Sequence, residues 1–234
     1  MCGRLVLHTP PAHLARFLDA TLDLGLAAAA TPSWNLPPTH LLYGVTHEPD
    51  GNRRMSAYRW GLVPRWAKSS TSTAHTINAR SESVAEKPSY RGPFASQPCA
   101  IPVNGFYEWE SRDGHAKQPY YFSRVDDELM ILAGLYDLWY DPTLGPAAPA
   151  LITCTIVTTE ANENMGGLHD RIPVILEPSE VAIWIAPHNV EGRTTLLRPA
   201  ARGTLRHHAV TPLVGSVRHD RPELLDSYQP PTLF

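Results

Sequence analysis

The sequence predicts an α+β fold: one compact domain over residues 1–234, with a mixed, largely antiparallel β core of barrel-like sheets flanked by short helices. Two features carry this prediction. Short apolar or alternating segments, separated by Gly, Pro and Asp-Gly turns, are typical of strands, and the candidate helices between them are all short. At 234 residues the chain is long enough for one large domain with its own core or for two small ones, and it contains no internal repeat, heptad pattern or glycine-rich phosphate loop.

The amino-terminal elements follow from apolar spacing and from proline. Residues 3–8 predict a strand, and Thr9 is a candidate cap for a short helix with Pro10 at its first position. Residues 22–30 are rich in alanine and fit either a short helix or a loop. In residues 34–39, paired prolines fix an extended backbone and remove donors, so we expect a rigid, irregular loop there.

The remaining elements alternate between buried strands and short helices. Gly105 separates two apolar strands, and Asp113-Gly114 predicts a hairpin. The predicted strands are 41–45 and 55–60 around an Asp50-Gly51 loop, 100–103, 106–109, 120–122, 130–136 and 151–157. Short helices are expected at 161–164, at 179–185 with a Ser179 cap, and at 190–197. Residues 177–234 would therefore supply C-terminal helices and a closing strand.

Composition excludes several classes of protein. No apolar run approaches the ~20 residues of a membrane helix, and the chain start lacks the pattern of an export signal. We therefore expect no membrane partner and a cytoplasmic location. The three cysteines form no CxxC pair, which argues against a disulfide framework and a structural zinc site. Cys99 and Cys154 lie in apolar runs and are expected in the core.

The positive charge is carried mainly by arginine. The net charge is −3, yet only three of the 20 basic residues are lysines, at positions 68, 87 and 117. The planar guanidinium suits phosphate and stacks on bases, which is typical of nucleic-acid binding. Biased genome composition explains the same preference equally well, so a nucleic-acid partner requires these residues to gather on one face.

Cys2 follows the initiator methionine, and its small side chain permits the usual cytosolic removal of Met1. The mature residue would carry an α-amino group and a thiol, which ordinarily titrate near roughly 7.7–8.0 and about 8.5. Such a 1,2-aminothiol can form an imine with an aldehyde and close on the same carbon as a five-membered thiazolidine. Alternatively, Cys2 is a small buried hydrophobe or keeps Met1 in front of it.

Two further stretches place polar residues in apolar surroundings. An extended backbone would direct Asn78 and Arg80 to one side and Ala79 to the other, so that amide and guanidinium grip a phosphate or a reacting oxygen. A strand-to-helix turn with structural hydrogen bonds is the alternative. Glu108 lies between aromatics, where desolvation favours its protonated form and suits it to proton transfer. A structural ion pair with arginine would explain it too.

His169 and Trp66 are the remaining candidates. His169 follows Gly166-Gly167 and precedes an apolar strand, and histidine can donate a proton and take it back near neutral pH. A lone loop histidine is often structural, but Asp170 and Arg171 beside it favour a function. Trp66 stands among basic residues in a Gly/Pro-bent segment, where base stacking would stabilise binding by about 1–3 kcal/mol per base. Trp60 is expected in the core.

Six motifs in order resemble the SOS-response-associated peptidase family, the abasic-site processing proteins. Each motif alone is weak, but together they extend to about Leu176 and are highly specific. They are Cys2-Gly-Arg, Trp34-Asn-Leu-Pro-Pro-Thr, Trp60-Gly-Leu-Val-Pro, Asn78-Ala-Arg-Ser-Glu, Pro102-Val-Asn-Gly-Phe-Tyr-Glu-Trp and His169-Asp-Arg-Ile-Pro. A closing segment at 209–216 resembles the family as well, except that Gly215 stands where an asparagine is expected.

This resemblance implies a sensor of abasic sites in single-stranded DNA, linked to the DNA-damage and SOS responses, that forms a covalent DNA–protein cross-link. The mature Cys2 would form a thiazolidine with the ring-opened sugar, and Asn78 would orient that sugar. Glu108 would handle the amine and imine protons, and His169 would assist ring opening and reversal. Imine chemistry also permits β-elimination, so some lyase activity is expected.

The resemblance also assigns partners. Single-stranded DNA containing abasic sites would bind a monomer, which would associate with the nucleoid when it acts on DNA, and no metal or organic cofactor is needed. Phosphates would meet arginines, and three other residues would shape the strand near the lesion. The arginines are Arg4, Arg65, Arg80, Arg91 and Arg171, and the other residues are Asn35, Pro38 and Trp66.

Two alternatives remain at this point. Cys2, His169 and Glu108 could form a thiol-hydrolase triad in a peptidase that removes Met1 from itself. A noncovalent single-strand binder could instead use Trp66 and the arginines.

Overall fold

The computed structural model describes residues 2–23, 25, 31–71, 76–111, 116–145 and 147–229. The described strands are β1 Leu5–Leu7, β2 Thr21–Leu22, β3 Ser33–Leu36, β4 Leu41–His47, β5 Arg53–Trp60, β6 Asn78–Arg80, β7 Pro98–Val103, β8 Gly105–Glu110, β9 Gln118–Arg124, β10 Met130–Trp139, β11 Leu151–Glu160, β12 Arg171–Pro173, β13 Ile175–Leu176 and β14 Leu205–Ala209. Leaving aside the isolated residue 25, the described α-helices are α1 Pro11–Phe17, α2 Arg91–Ser96, α3 Val181–Ile185 and α4 Val190–Thr195.

One sheet closes into a barrel. Its strands follow the order β11-β10-β7-β4-β5, and β5 returns to β11 through a parallel pairing that matches Trp60 with Cys154. The other neighbouring pairs around the barrel are antiparallel. Strands β2, β6, β12 and β13 extend its margins. This arrangement confirms the predicted α+β fold with a mixed, largely antiparallel, barrel-like core, and both Cys99 and Cys154 are buried in it as expected.

The second sheet places the start of the chain in its interior. Its order is β14-β9-β8-β1-β3, so β1 pairs with β3 on one side and β8 on the other. Side chains alternate between its two faces. Leu5 and Leu7 belong to the main core shared with the barrel, whereas Val6 packs into a smaller cluster with the C-terminal segment 210–224. Both faces of β1 are therefore covered.

Gly105 lets the chain pass from the barrel into the second sheet. Strand β7 ends at Val103 in the barrel, and β8 begins at Gly105 in the other sheet. A Cβ at position 105 would lie 2.3 Å from the backbone oxygen of Phe122. No side chain fits that approach, so the predicted break between two strands is confirmed and its glycine is required by space.

The predicted strands and the hairpin between β8 and β9 are confirmed, with Phe106 paired to Phe122. Asp113 and Gly114 themselves lie outside the described residues, as do most of residues 22–30 and Met1. No helix within the described part of the chain is long and apolar enough to cross a membrane.

The expectation that residues 34–39 form an irregular loop is wrong for the first half of the segment. Ser33–Leu36 is strand β3 at the edge of the second sheet, and Leu36 pairs with Leu5. Extended backbone before a proline is compatible with an edge strand, because the prolines begin only where pairing ends. The irregular turn is confined to the residues that follow, where Thr39 has a positive φ of 72°.

Two predicted helix caps are also wrong. Pro10, not Thr9, occupies the cap position of α1, because the hydroxyl of Thr9 accepts a hydrogen bond from Asn104 Nδ2 at 2.8 Å. The turn before α3 is closed by a reciprocal pair of side-chain bonds from Glu177 and Glu180, not by Ser179. The helix expected at 161–164 is a 3-10 turn at Glu163–Met165.

Candidate active site

Cys2 lies where the two sheets meet. It precedes β1 and is 1% exposed, and its backbone oxygen accepts a hydrogen bond of 2.7 Å from Nδ2 of Asn78. Asn78 begins β6, which runs parallel to β11 at the margin of the barrel. This bond joins two residues that are 76 positions apart in the sequence. The start of the chain is thus tied to the barrel by one of the predicted site residues.

Glu108 approaches the same point from strand β8. It is 4% exposed, and it is two positions from Phe106, which packs in the core shared with the barrel. Burial raises the pKa of the Cys2 thiol, and the negative charge of Glu108 raises that pKa further. In a chain that still begins with Met1, the raised pKa favours the protonated thiol, although the positive amino terminus opposes this effect.

Asn78 leaves one acceptor open beside Cys2. Its side chain is 8% exposed, and its Oδ1 atom is buried without a hydrogen-bond partner among the described residues. A buried acceptor without a partner is costly unless a ligand or water satisfies it. Ala79 packs in the core while Arg80 is exposed, as the alternation of an extended strand requires.

His169 belongs to the adjoining margin of the barrel. The backbone N–H of Arg171 in β12 lies 2.9 Å from Nδ1 of His169, and Oδ1 of Asp170 lies 2.8 Å from the same nitrogen. One nitrogen cannot accept from the first and donate to the second at once, so the neutral ring with its proton on Nε2 uses the Arg171 bond. His169 precedes β12, and β11 pairs with both β12 and β6. One strand therefore lies between β12, beside His169, and β6, which carries Asn78.

Arg171 is engaged by the protein on both terminal nitrogens. Its Nη1 and Nη2 donate to the two carboxylate oxygens of Glu82 at 2.7 and 3.0 Å, and Nη2 also donates to the oxygen of Thr158 at 2.6 Å. This bidentate pair lowers the pKa of Glu82 to about 2. Glu82 was not predicted as a site residue, although it closes the motif that begins at Asn78.

Arg4 is held between the second sheet and the C-terminal segment. Its Nη1 donates to Oδ1 of Asn35 at 2.7 Å and to the oxygen of Val214 at 3.0 Å, and its guanidinium lies 5.9 Å from the centre of the Trp109 ring. Burial lowers the pKa of Arg4. Arg4 is thus fixed two residues from Cys2.

Asn35 is an internal latch and not a surface group. It is buried, and its Nδ2 donates to backbone oxygens of Val214, Ser216 and His219 at distances of 3.2, 3.1 and 2.6 Å. Because these partners are backbone atoms, glycine at position 215 leaves the latch intact. The C-terminal segment therefore belongs to the surroundings of the site, which the sequence alone did not indicate.

Replacing Asn35 with alanine is expected to lower the free energy of unfolding by about 2–3 kcal/mol, since it removes the donor to the carbonyls of Ser216 and His219 and one of the two acceptors of Arg4. Urea unfolding followed by tryptophan fluorescence measures this loss. Asn35→Asp is the comparison variant, because it keeps an acceptor for Arg4 while it removes the donors and adds a negative charge. An alanine variant that unfolds at the wild-type urea concentration would contradict the latch.

The other residues that were predicted to contact DNA differ in their exposure and in their partners. Trp66 is 63% exposed, whereas Trp60 is fully buried, as predicted. Arg80 and Arg91 are exposed, and Pro38 is half-buried beside His40. Arg65 differs from them because its guanidinium is paired with the buried carboxylate of Asp137.

The geometry brings together Cys2, Asn78 and Glu108, and it attaches His169 through neighbouring strands. No cluster of three or more His, Cys, Asp or Glu side chains that could hold a metal occurs in the described ranges. Fold and site together define a class: an α+β protein with two sheets whose candidate site is built on the start of its own chain.

Comparison with known proteins gives that class a family. Residues 1–217 match the model of the family described as SOS response associated peptidase (SRAP). The chain is 38% identical over 199 residues to the abasic site processing protein YoqW of Bacillus subtilis, covering 84% of this chain and 87% of that one. It is 35% identical over 229 residues to YoaM of the same organism, also an abasic site processing protein, covering 97% and 98%.

A solved structure supports the fold. A protein from Bacteroides thetaiotaomicron superposes with a TM-score of 0.84 at 22% identity, covering 97% of this chain and all of that one. The chain belongs to the SOS response associated peptidase family.

Proposed function

We propose that this protein processes abasic sites, and that it does so by binding single-stranded DNA and linking Cys2 covalently to the lesion after Met1 is removed. The observation that carries the proposal is the meeting of Cys2, Asn78 and Glu108 in a buried corner at the start of the chain. The names of the relatives, which are abasic site processing proteins, support the substrate class.

The reaction uses both nucleophiles of one residue. The α-amine of mature Cys2 adds to the aldehyde carbon of the ring-opened sugar, and loss of one water leaves an imine. The thiol then adds to the same carbon: a C–S bond forms, and the thiol proton passes to the nitrogen. The product is a thiazolidine, and the complete reaction releases one water. Because both groups belong to one residue, the second step is intramolecular and fast.

Glu108 suits the proton transfers of this sequence. It is buried close enough to Cys2 to influence the thiol electrostatically. In its ionised form it accepts the proton that the amine loses on addition, and it returns that proton to the departing hydroxyl. Since one group serves both steps, no cofactor is required for the exchange.

Removal of Met1 changes the charge balance at the thiol. The amino terminus of the unprocessed chain already lowers the pKa of the thiol, and processing brings this positive charge onto Cys2 itself, where it opposes Glu108 more strongly. We expect the thiol pKa to fall on processing, because an adjacent cation favours the thiolate. Maturation would therefore create the amine and activate the thiol in one event.

Asn78 and His169 serve the sugar in this proposal. The open Oδ1 acceptor of Asn78 can take a hydrogen bond from the Cys2 amine or from a sugar hydroxyl. His169, with its proton on Nε2, can donate to the ring oxygen as the sugar opens and take the proton back on reversal. The imine that precedes ring closure also permits β-elimination of the 3′ phosphate, so a minor lyase product is expected.

DNA binding in this proposal uses side chains that are exposed or partly exposed. Arg80 and Arg91 are available for phosphates, Trp66 for stacking on a base, and Pro38 for shaping the strand. A site without a base offers no edge to read, so the proposal predicts little dependence on the sequence around the lesion.

A denaturing gel tests the proposal. Mature protein is incubated with a single-stranded oligonucleotide that carries one abasic site, and with the same oligonucleotide with an intact base as the control. A shifted band is expected only with the abasic DNA, and it should be absent for Cys2→Ala and slower to form for Glu108→Gln. Binding without any shifted band would leave a noncovalent binder, and Cys2-dependent cleavage of a peptide without a cross-link would indicate a peptidase.

A further inference from the structure

The first part of the loop that carries Trp66, residues 61–71, is anchored to the barrel. The loop connects β5 with β6, and its described backbone and side-chain bonds reach three barrel strands. The bonds are Gly61 N to Cys154 O at 2.8 Å, Val63 N to Thr153 Oγ1 at 2.8 Å, Arg65 N to Asp137 Oδ2 at 3.0 Å, Trp139 Nε1 to Ala67 O at 2.7 Å and Arg59 Nη2 to Ser70 O at 3.1 Å. A loop that is bonded this often presents its exposed tryptophan in one position.

Asp137 is the centre of this anchoring. Its side chain is 2% exposed within β10, an unusual place for a carboxylate. One oxygen accepts from the backbone N–H of Arg65, and the other accepts from Nε and Nη2 of Arg65 at 3.2 and 3.0 Å and from Leu138 N at 2.9 Å. Nη2 of Arg65 also donates to the buried Gln97. The carboxylate is therefore fully compensated by the loop and its own strand.

We propose that Asp137 is a positioning residue for DNA binding: with Arg65 and Trp139 it fixes the loop so that Trp66 is preorganised as a stacking surface. This inference rests on the proposed function, because it assumes that Trp66 meets a base. It also reassigns Arg65 from DNA to the loop: its side chain is 60% exposed, but its charge is balanced by the buried carboxylate of Asp137.

The physical gain is a lower ordering cost. A tryptophan on a loose loop would have to be immobilised when a base stacks on it, and each immobilised side chain costs binding energy. Here the loop is already fixed before DNA arrives. Loss of the anchor should therefore weaken binding through Trp66 and leave the covalent chemistry at Cys2 unchanged once DNA is saturating.

Fluorescence anisotropy with a labelled single strand tests this. The strand carries a tetrahydrofuran residue in place of the lesion, which lacks the aldehyde, so only noncovalent binding is measured. We expect Trp66→Ala to weaken binding about tenfold, in line with stacking of one base. Asp137→Asn should weaken it about threefold to tenfold alone, and should have no further effect when Trp66 is already alanine.

Trp139→Phe is a second, milder variant, because it removes only the Nε1 donor to Ala67 and keeps the packing of an aromatic ring. It should show the same dependence on Trp66. If Asp137→Asn weakens binding equally with and without Trp66, or leaves binding unchanged, the positioning role is wrong. A general loss of folding cannot imitate the expected result, because it would lower binding in both backgrounds.

The salt dependence of DNA binding tests whether Arg65 contacts a phosphate. For single strands, each phosphate contact contributes about 0.7 to the slope of log affinity against log salt concentration. Arg65→Ala should leave this slope unchanged, and the exposed Arg80→Ala, as the matched control, should reduce it by about that amount. A reduced slope for Arg65→Ala would overturn the reassignment. If the wild type binds but never cross-links to aldehyde-bearing DNA, the proposed chemistry fails while this test of positioning still stands.

Discussion

A form of the protein that keeps Met1 is expected to form no covalent link to abasic-site DNA, however long the two are incubated. A leucine inserted between Met1 and Cys2 produces this form, because removal of the initiator methionine requires a small second residue. The nitrogen of Cys2 is then an amide and cannot form an imine. The thiol, held protonated by burial and by Glu108, has no amine to act with. Intact-mass measurement confirms the retained residues, and a denaturing gel measures the cross-link.

The matched control is a chain in which the same inserted segment ends in a protease site, so that cleavage exposes Cys2. Cross-linking should return to the wild-type yield after cleavage. A stable cross-link from the blocked chain would contradict the mechanism, because thiol addition alone gives a hemithioacetal that reverses on denaturation. From Cys2 onward the two proteins have identical side chains, and they differ only in the segment before Cys2 and in whether Cys2 carries a free amino group.

The sequence identified the types of reactive residue but did not show that they lie close together in the folded chain. Cys2 and Asn78 are 76 positions apart, and what joins them is the pairing of β1 inside one sheet and of β6 beside the barrel. The strands themselves were predictable from apolar alternation and from Gly105. Their order in the two sheets depends on long-range pairing that no local pattern encodes, and the resemblance to a family supplied roles for the residues but not this order.

Charge partners were the part that sequence reasoning missed. Arg65 stands among tryptophans and basic residues and therefore resembled a phosphate contact, yet its partner Asp137 is 72 positions away. Arg171 resembled one too, and its partner Glu82 is 89 positions away. A local pattern reveals that a charge is present, but whether the protein neutralises that charge is decided by the fold. The signal in hindsight was an acidic residue inside the apolar run of β10.

Replacing Arg193 with methionine is expected to lower the free energy of unfolding by about 3–5 kcal/mol, because the buried guanidinium is the donor to several backbone carbonyls that would lose their hydrogen bonds. Its guanidinium donates to the backbone oxygens of Phe94 and Ala95 at 2.9 and 2.8 Å. It also donates to those of Trp184 at 3.2 Å and Ala186 at 2.6 Å. Methionine fills most of the volume but leaves these four carbonyls without donors.

These acceptors explain why a cation is suited to this position, where no carboxylate among the described residues pairs with it. They lie at or just beyond the carboxyl ends of helices α2 and α3, where unsatisfied carbonyls carry partial negative charge. Burial lowers the pKa of Arg193 to about 10, so the group stays charged at neutral pH. One side chain thus ties two helices against the barrel.

Urea unfolding of Arg193→Met and Arg193→Lys distinguishes charge from geometry. Lysine keeps the charge but offers a single nitrogen, so Arg193→Lys should lose less free energy of unfolding than Arg193→Met. The difference between the two variants should be large if the charge at the helix ends matters more than the number of hydrogen bonds. A methionine variant within about 1 kcal/mol of the wild type would show that the carbonyls find water instead, and would refute the anchoring role. Because Arg193 does not contact Cys2, Asn78 or Glu108 through any described bond, the folded fraction of each variant should cross-link at the wild-type rate.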